Sequence, residues 1–284
     1  MKKTMNSNKK IPFNTCSLSK RKYAIFMKRI KKTLKIRKPY TITKAQTTHY
    51  INSLFDKKIK SVIPLNIYQV WHNKSELPDS VKESIELLKS QNPEFKHHLF
   101  DEKECYEFIK NNYPKKILDA YESVVPHAIK ADLWRYCYLY KYGGIYLDCK
   151  YYCINGFKLV LLTDKEYFCK DVGFSLNGIY NAILICKPKN KILLKCIKTS
   201  VKNIENKEYF NKELCPTGPL MMKTFFTKSQ INNLELTHEY VNESNRFINL
   251  HNYRILKFNE NYVKEKAQTT HHWSVFWKNR NMYK

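Results

Sequence analysis

The chain has 284 residues, 43% of them hydrophobic and 14% aromatic, enough to build one enzyme-sized core and too apolar for a disordered chain. Its formal net charge of +26 is uneven: residues 1–60 hold 18 Lys and Arg against one acid, Asp56, and residues 61–284 hold 33 against 24. No apolar run reaches the roughly 18–20 residues of a bilayer span, the N-terminus lacks a signal-like apolar stretch, and six glycines with one adjacent pair, Gly143-Gly144, exclude a dinucleotide loop and a P-loop.

Residues 1–60 read as a basic N-terminal extension, partly helical or flexible. Either this arm touches nucleic acid or an anionic surface weakly, losing its grip as salt rises, or it is a solvated tail. From residue 61 to 284 a single domain is expected. Leu65–Val70 follows Pro64 and is β-rich, so it predicts a first strand. Leu77-Pro-Asp-Ser80 opens a helix with Val81, Ile85 and Leu88 on one face, stopped near Pro93. His97–Phe100 predicts a second strand, and Asp101 caps a helix toward Asn111. Pro114 and Pro126 punctuate two further helical pieces.

The best-defined helix runs from His127 to Tyr142, with Ile129, Leu133, Tyr136, Cys137 and Tyr140 as its buried stripe. Gly143-Gly144 ends it in a left-handed cap. Ile145–Tyr152 is expected to be one strand, Asn181–Cys186 a buried strand, Asn190–Asn203 a helix and Tyr253–Phe258 a late strand. This alternation is an α/β signature. Nine cysteines, an odd count with no C-x-x-C pair, point to free thiols; Cys149 and Cys153 alone make a poor zinc site. Lys44-Ala-Gln-Thr-Thr-His49 recurs as Lys266-Ala-Gln-Thr-Thr-His271, a repeat too short to define an architecture.

Two features carry chemistry. Asp132 and Arg135 lie three apart on the 127–142 helix, beside its apolar stripe and about 80° and 140° from a centre near Tyr140. An acid and a base there can hold a hydroxyl-rich ligand, or form an ordinary surface ion pair. Asp148 ends the next strand, where open α/β sheets keep their ligands. A second acid two residues on would share its face and clamp a divalent cation against a diphosphate; the sequence reads Asp148-Cys149-Lys150 instead.

Ala131-Asp-Leu-Trp-Arg-Tyr136 followed by Leu139-Tyr-Lys-Tyr-Gly-Gly-Ile-Tyr-Leu-Asp148 resembles the DXD-motif sugar-binding region of glycosyltransferase family 32, which includes the yeast initiating α-1,6-mannosyltransferases and is distantly similar to the clostridial glucosylating toxins. Ile63–Trp71, Leu77-Pro-Asp-Ser80, Asn92-Pro-Glu-Phe95, Asn181-Ala-Ile-Leu184, Thr217-Gly-Pro219 and His271–Trp277 resemble its other blocks, in order, over about residues 61–280. The resemblance implies a GT-A-type α/β nucleotide-sugar-binding domain with a mixed central sheet flanked by helices. It implies a retaining transferase that moves a hexosyl unit from a UDP- or GDP-linked sugar to a hydroxyl of a glycan or protein.

By the same resemblance Asp132, Arg135 and Asp148 would be catalytic. Trp71, Tyr146, Lys150 and Trp277 would join them in binding the donor, Trp71 at the base and Trp277 near the leaving diphosphate. Thr217 and Gly218 would lie on the acceptor side, and Asp148 with His271 and His272 would hold Mn²⁺ or Mg²⁺. Two positions depart from the family pattern. Lys150 replaces the second acid, making metal dependence doubtful and suggesting that its ammonium partly replaces the metal. Phe276 stands where Ser usually precedes the final Trp. The alternative is a weak or inactive relative that binds sugar nucleotides or carbohydrate. With no anchor visible, the expected location is the cytoplasm, or a host cytoplasm or virion if the protein is viral.

Overall fold

The computed structural model describes residue 53 and residues 60–172, 178–212, 214–266 and 273–284, all within the unit 43–284. The basic extension therefore lies outside the described residues, apart from residues 53 and 60, as does most of the hexapeptide repeat. In chain order the elements are β1 (Asn66–Val70), α1 (Asp79–Gln91), β2 (Lys96–Phe100), α2 (Glu102–Asn112), α3 (Lys115–Ser123), α4 (His127–Tyr142), β3 (Gly144–Leu147) and β4 (Tyr151–Cys153). There follow β5 (Tyr167–Asp171), β6 (Ile179–Cys186), α5 (Lys191–Glu205), α6 (Pro219–Lys223), α7 (Lys228–Asn232), β7 (Leu236–Asn242), β8 (Asn245–Leu250), β9 (Tyr253–Phe258), α8 (Asn261–Lys266) and α9 (Trp273–Lys278).

The strands form one mixed sheet in the order β2-β1-β3-β6-β5-β7-β8-β9-β4. β1 is parallel to both β2 and β3, and β5 to β7; the other neighbours are antiparallel. This is the expected α/β class, a mixed central sheet flanked by helices. Period-2 alternation divides β3 between two cores. Ile145 and Leu147 join Ile183, Ile185 and Leu256 on one side, whereas Tyr146 joins Leu133, Trp134, Leu139 and Ile197 from α4 and α5 on the other.

Local chemistry sets the element ends. Asp101 and Glu104 make reciprocal side-chain to backbone bonds, a capping box that starts α2. Gly143 closes α4 at φ 63° and Gly144 follows at φ 111°. A Cβ on Gly143 would lie 2.6 Å from Pro188 Cδ and 2.9 Å from the Cys186 carbonyl, so both conformation and space require glycine there. No helix among the described residues is long and apolar enough to cross a membrane. The eight described cysteines are free thiols.

The structure corrects two readings. The expected strand 145–152 is broken: Asp148 N–H makes a last ladder bond to Ala182 O (2.8 Å), and Tyr151 N–H then returns to Asp148 O (3.1 Å), turning the chain through 148–150. Asp148 and Lys150 therefore flank a turn and do not share a strand face. The buried face of α4 is also wider than the predicted stripe. Trp134, Arg135 and Leu139 are buried with Ile129, Leu133, Tyr136 and Cys137, while Tyr140 is only half-buried. A helix packed against both a sheet and other helices loses the polar side that the stripe assumed.

Candidate functional site

The site forms where α4 crosses the carboxyl end of β3. Position 148 continues the alternation that points Tyr146 at α4, so its carboxylate comes back toward the same helix. Tyr146 donates its hydroxyl to Asp148 Oδ1 at 2.8 Å. The Arg135 guanidinium lies 4.2 Å over the Tyr146 ring, with Nη1 3.6 Å from Asp148 Oδ1 and Nη2 3.3 Å from Asp132 Oδ1. Asp132, Arg135 and Asp148, expected from the sequence to act together, thus meet around one guanidinium.

Asp132 is not a surface partner of Arg135; its side chain is 14% exposed and that of Arg135 only 7%. Asn181 Nδ2 donates to Asp132 Oδ1 and Thr217 Oγ1 donates to Oδ2, both at 2.8 Å. Arg135 spends Nε on Ala131 O (3.1 Å) and Nη1 on Asn181 O (2.7 Å). Asn181 Nδ2 also donates to the Tyr136 hydroxyl, which donates to Thr217 O. A Cβ on Gly218 would come within 3.5 Å of Asp132 Oδ2 and 3.2 Å of Leu214 O, so the Thr217-Gly218 backbone passes close by the carboxylate. Asn181 was not singled out as a site residue by sequence; its signals were its place in the Asn181-Ala-Ile-Leu184 block that resembles the family and an amide opening an otherwise apolar strand.

Burial raises the pKa of Asp132, against the opposing pull of Arg135 and Thr217. Burial also works against ionised Asp148, but Lys150, Arg135 and the Tyr146 hydroxyl more than offset it and hold its pKa below the usual carboxylate value. Lys150 Nζ stands 3.5 Å from Asp148 Oδ2, with 24% and 22% of the two side chains exposed. These two are the open members of the cluster and can meet a ligand directly.

Trp71, at the end of β1, packs with Val81, Ile85 and Cys149 and sits edge-on to Tyr262 at 6.0 Å. Its indole nitrogen is buried without a hydrogen-bond partner. The cleft of about 600 Å³ that opens beyond it is lined by His72, Glu102, Tyr106, His127 and Lys130 rather than by Asp132 or Asp148. Trp277 gives its N–H to Tyr209 O at 2.7 Å and packs on the α4 core, so in this structure it is not free to donate to a diphosphate. His271 and His272 lie outside the described residues.

Among the described residues, which exclude His271 and His272, the donor set around Asp148 does not suit a bound divalent cation. Asp148 Oδ1 already accepts from Tyr146 and faces Arg135, and Oδ2 faces Lys150. No group of three His, Cys, Asp or Glu among the described residues could hold a metal. Among the described residues, a cation beside Asp148 would meet that carboxylate flanked by Arg135 and Lys150, where hard divalent ions require several oxygen ligands.

A carboxylate–guanidinium–carboxylate cluster at the carboxyl edge of an α/β sheet defines a polar site suited to hydroxyl and phosphate groups. Residues 78–167 match the family model described as the glycosyltransferase sugar-binding region containing DXD motif, so the resemblance read from Asp132 to Asp148 holds. The chain is 29% identical to the mannosyl phosphorylinositol ceramide synthase of Saccharomyces cerevisiae over 167 residues, 58% of this chain and 42% of that one. It is also 29% identical to the initiation-specific alpha-1,6-mannosyltransferase of Candida albicans over 90 residues, 30% of this chain and 23% of that one. Among solved structures, the PaToxG glycosyltransferase superposes with a TM-score of 0.47 at 16% identity, covering 64% of this chain and 75% of that one.

The chain thus spans less than half the length of these two curated relatives. The expected cytoplasmic location is overturned, because the yeast mannosyltransferases to which the chain is similar are Golgi-type rather than cytoplasmic proteins.

Proposed function

We propose that this protein is a retaining glycosyltransferase that moves a hexosyl unit from a UDP- or GDP-linked sugar to a hydroxyl of a glycan or protein. The observation that carries the reading is the Asp132–Arg135–Asp148 cluster, in which one guanidinium bridges two carboxylates. Asp132, fixed by Asn181 and Thr217, would accept hydrogen bonds from donor-sugar hydroxyls, and Arg135 would keep that carboxylate ionised and oriented. Asp148 would take a ribose hydroxyl, and Lys150 beside it would face the charge that builds on the leaving diphosphate. The base would lie toward Trp71 and the cleft that begins at His72.

Such a site accelerates transfer by orientation and by preorganised charges, stronger toward a sugar of oxocarbenium character and a departing diphosphate than toward the intact donor. No side chain is assigned as a nucleophile; attack on one face, with the leaving phosphate taking the acceptor proton, fits a retaining outcome. The name of the first yeast relative adds a phosphoinositol ceramide to the acceptors to be tested.

The test is a panel of UDP- and GDP-sugars, read by thermal shift and by donor hydrolysis. One donor is expected to raise the melting temperature and to be hydrolysed slowly, faster with an acceptor. Stabilisation without turnover would move the protein to the sugar-nucleotide-binding alternative, and no response to any donor would refute both.

A further inference from the structure

Arg246, on β8, is an arginine without a counterion among the described residues. Its Nε is buried with no hydrogen-bond partner, and no carboxylate among the described residues pairs with it. Its guanidinium lies instead against two rings, 4.6 Å from the centre of Phe258 and 5.3 Å from that of Tyr240. The contrast with Arg254 on β9 is sharp: Glu239 binds that side chain through two bonds of 3.0 and 2.8 Å. A buried donor on a guanidinium is costly to leave unmade, and the planar fork is suited to a phosphate.

The position of Arg246 says which anion it awaits. Phe258 meets Tyr262 edge-on at 5.9 Å, and Lys150 Nζ lies 5.3 Å over the Tyr262 ring. Both cations therefore sit on adjoining rings of one aromatic cluster. Phe258 also packs edge-on against Tyr151 at 5.5 Å, whose hydroxyl pairs with that of Tyr180 at 2.8 Å. Burial works against the charge on Lys150 and Asp148 more than restores it, while Arg246 is close enough to add a like-charge penalty. Arg135 and Lys150 both flank Asp148, and Arg246 adds a third positive charge near Lys150. A bound dianion would remove the excess positive charge and supply the bonds that Arg246 lacks.

Resting on the transferase reading, we propose that Lys150 and Arg246 bind the donor diphosphate together as a clamp that needs no divalent metal. Lys150 supplies a point charge beside Asp148, and Arg246 supplies the fork, from a strand five places away in the sheet from β1. The second acid of a DXD motif would leave a carboxylate in place of the ammonium and make a metal necessary; Lys150 reverses that requirement.

Calorimetric titration of the full chain with inorganic pyrophosphate, UDP and GDP, each with excess chelator and with Mn²⁺, tests this. Wild type is expected to bind with or without chelator, with affinities agreeing within about twofold, and to weaken as salt rises. Arg246→Gln should lose roughly 10- to 100-fold in affinity, the range for a charge-assisted bond to phosphate. Arg246→Lys should recover part of that loss, and unliganded melting curves report whether each variant is folded. Lys150→Asp should bind only when Mn²⁺ is present. Binding by wild type only with Mn²⁺, or unchanged affinity in folded Arg246→Gln, overturns the clamp while leaving the transferase reading intact. Chelator-resistant, Arg246-dependent binding of pyrophosphate without hydrolysis of any sugar nucleotide supports the clamp and counts against the transferase. No binding of any probe under either condition defeats both.

Discussion

Replacing Asp132 by Asn separates the stability of the site from its chemistry. The carboxylate accepts from Asn181 Nδ2 at one oxygen and from Thr217 Oγ1 at the other. An amide oriented with its oxygen toward Asn181 keeps the first bond, and the second survives if the Thr217 hydroxyl rotates to accept from the new NH₂. The substitution removes an ion pair with Arg135, but it also removes the burial cost that raises the pKa of Asp132. The net change in folding free energy should be within about 1 kcal/mol. Asp132→Ala instead leaves Arg135, Asn181 and Thr217 facing a hole, and should cost about 3–5 kcal/mol, the range for breaking a buried pair.

Function should rank differently. An amide cannot offer a sugar hydroxyl a charged acceptor, so donor hydrolysis by Asp132→Asn should fall roughly 100-fold or more, as when one preorganised polar contact to a transition state is removed. Urea denaturation and donor hydrolysis on the same preparations give both numbers. Wild-type turnover in Asp132→Asn, or a stability loss equal to that of Asp132→Ala, would refute the reasoning.

Three further outcomes follow from particular contacts. Gly143→Ala should lose at least about 1–2 kcal/mol in urea denaturation, since left-handed backbone alone costs that much before the Cβ meets Pro188. Asn181→Leu removes the amide between Asp132 and Tyr136 and should cost about 1–3 kcal/mol by the same measurement, with reduced donor binding. Burial pushes the His97 imidazole down to about 4, so it is neutral at pH 7, beside Gln69 Oε1 at 2.6 Å. A depressed folded pKa gives stability that is present above about 6.5 and lost as pH falls toward 4. Melting temperature should therefore drop more between pH 7 and 4 in wild type than in His97→Gln, and parallel curves would contradict this origin.

What could be read from sequence was whatever local chemistry decides. α4 begins and ends where Pro126 and Gly143 put it, β9 spans the predicted Tyr253–Phe258, and the Asp101 cap is in place. The break after Leu147 was hidden because Tyr151 and Tyr152 continue the β-rich pattern; what stops β3 is that β4 pairs with β9. β7 and β8 escaped notice because residues such as Glu239, Asn245 and Asn249 interrupt their apolar alternation, and a partner strand stabilises them. At the site, Asp132, Arg135 and Asp148 were legible because they are close in sequence. Arg246 was not: its relation to Lys150 is created entirely by strands that follow far along the chain.

The order of the sheet has one geometric consequence. β3 and β4 are six neighbours apart in it, which in a flat sheet would be about 29 Å at about 4.8 Å per step. Yet only Asp148, Cys149 and Lys150 separate them, and four residue steps reach at most about 14 Å. The sheet must therefore roll back until its far margin returns beside its middle, with this short link as the hasp that fastens it. Lengthening the link by even one residue would let the roll slacken at the point where aspartate and lysine must stand together, so insertions should be tolerated there less than in any other connection of similar length.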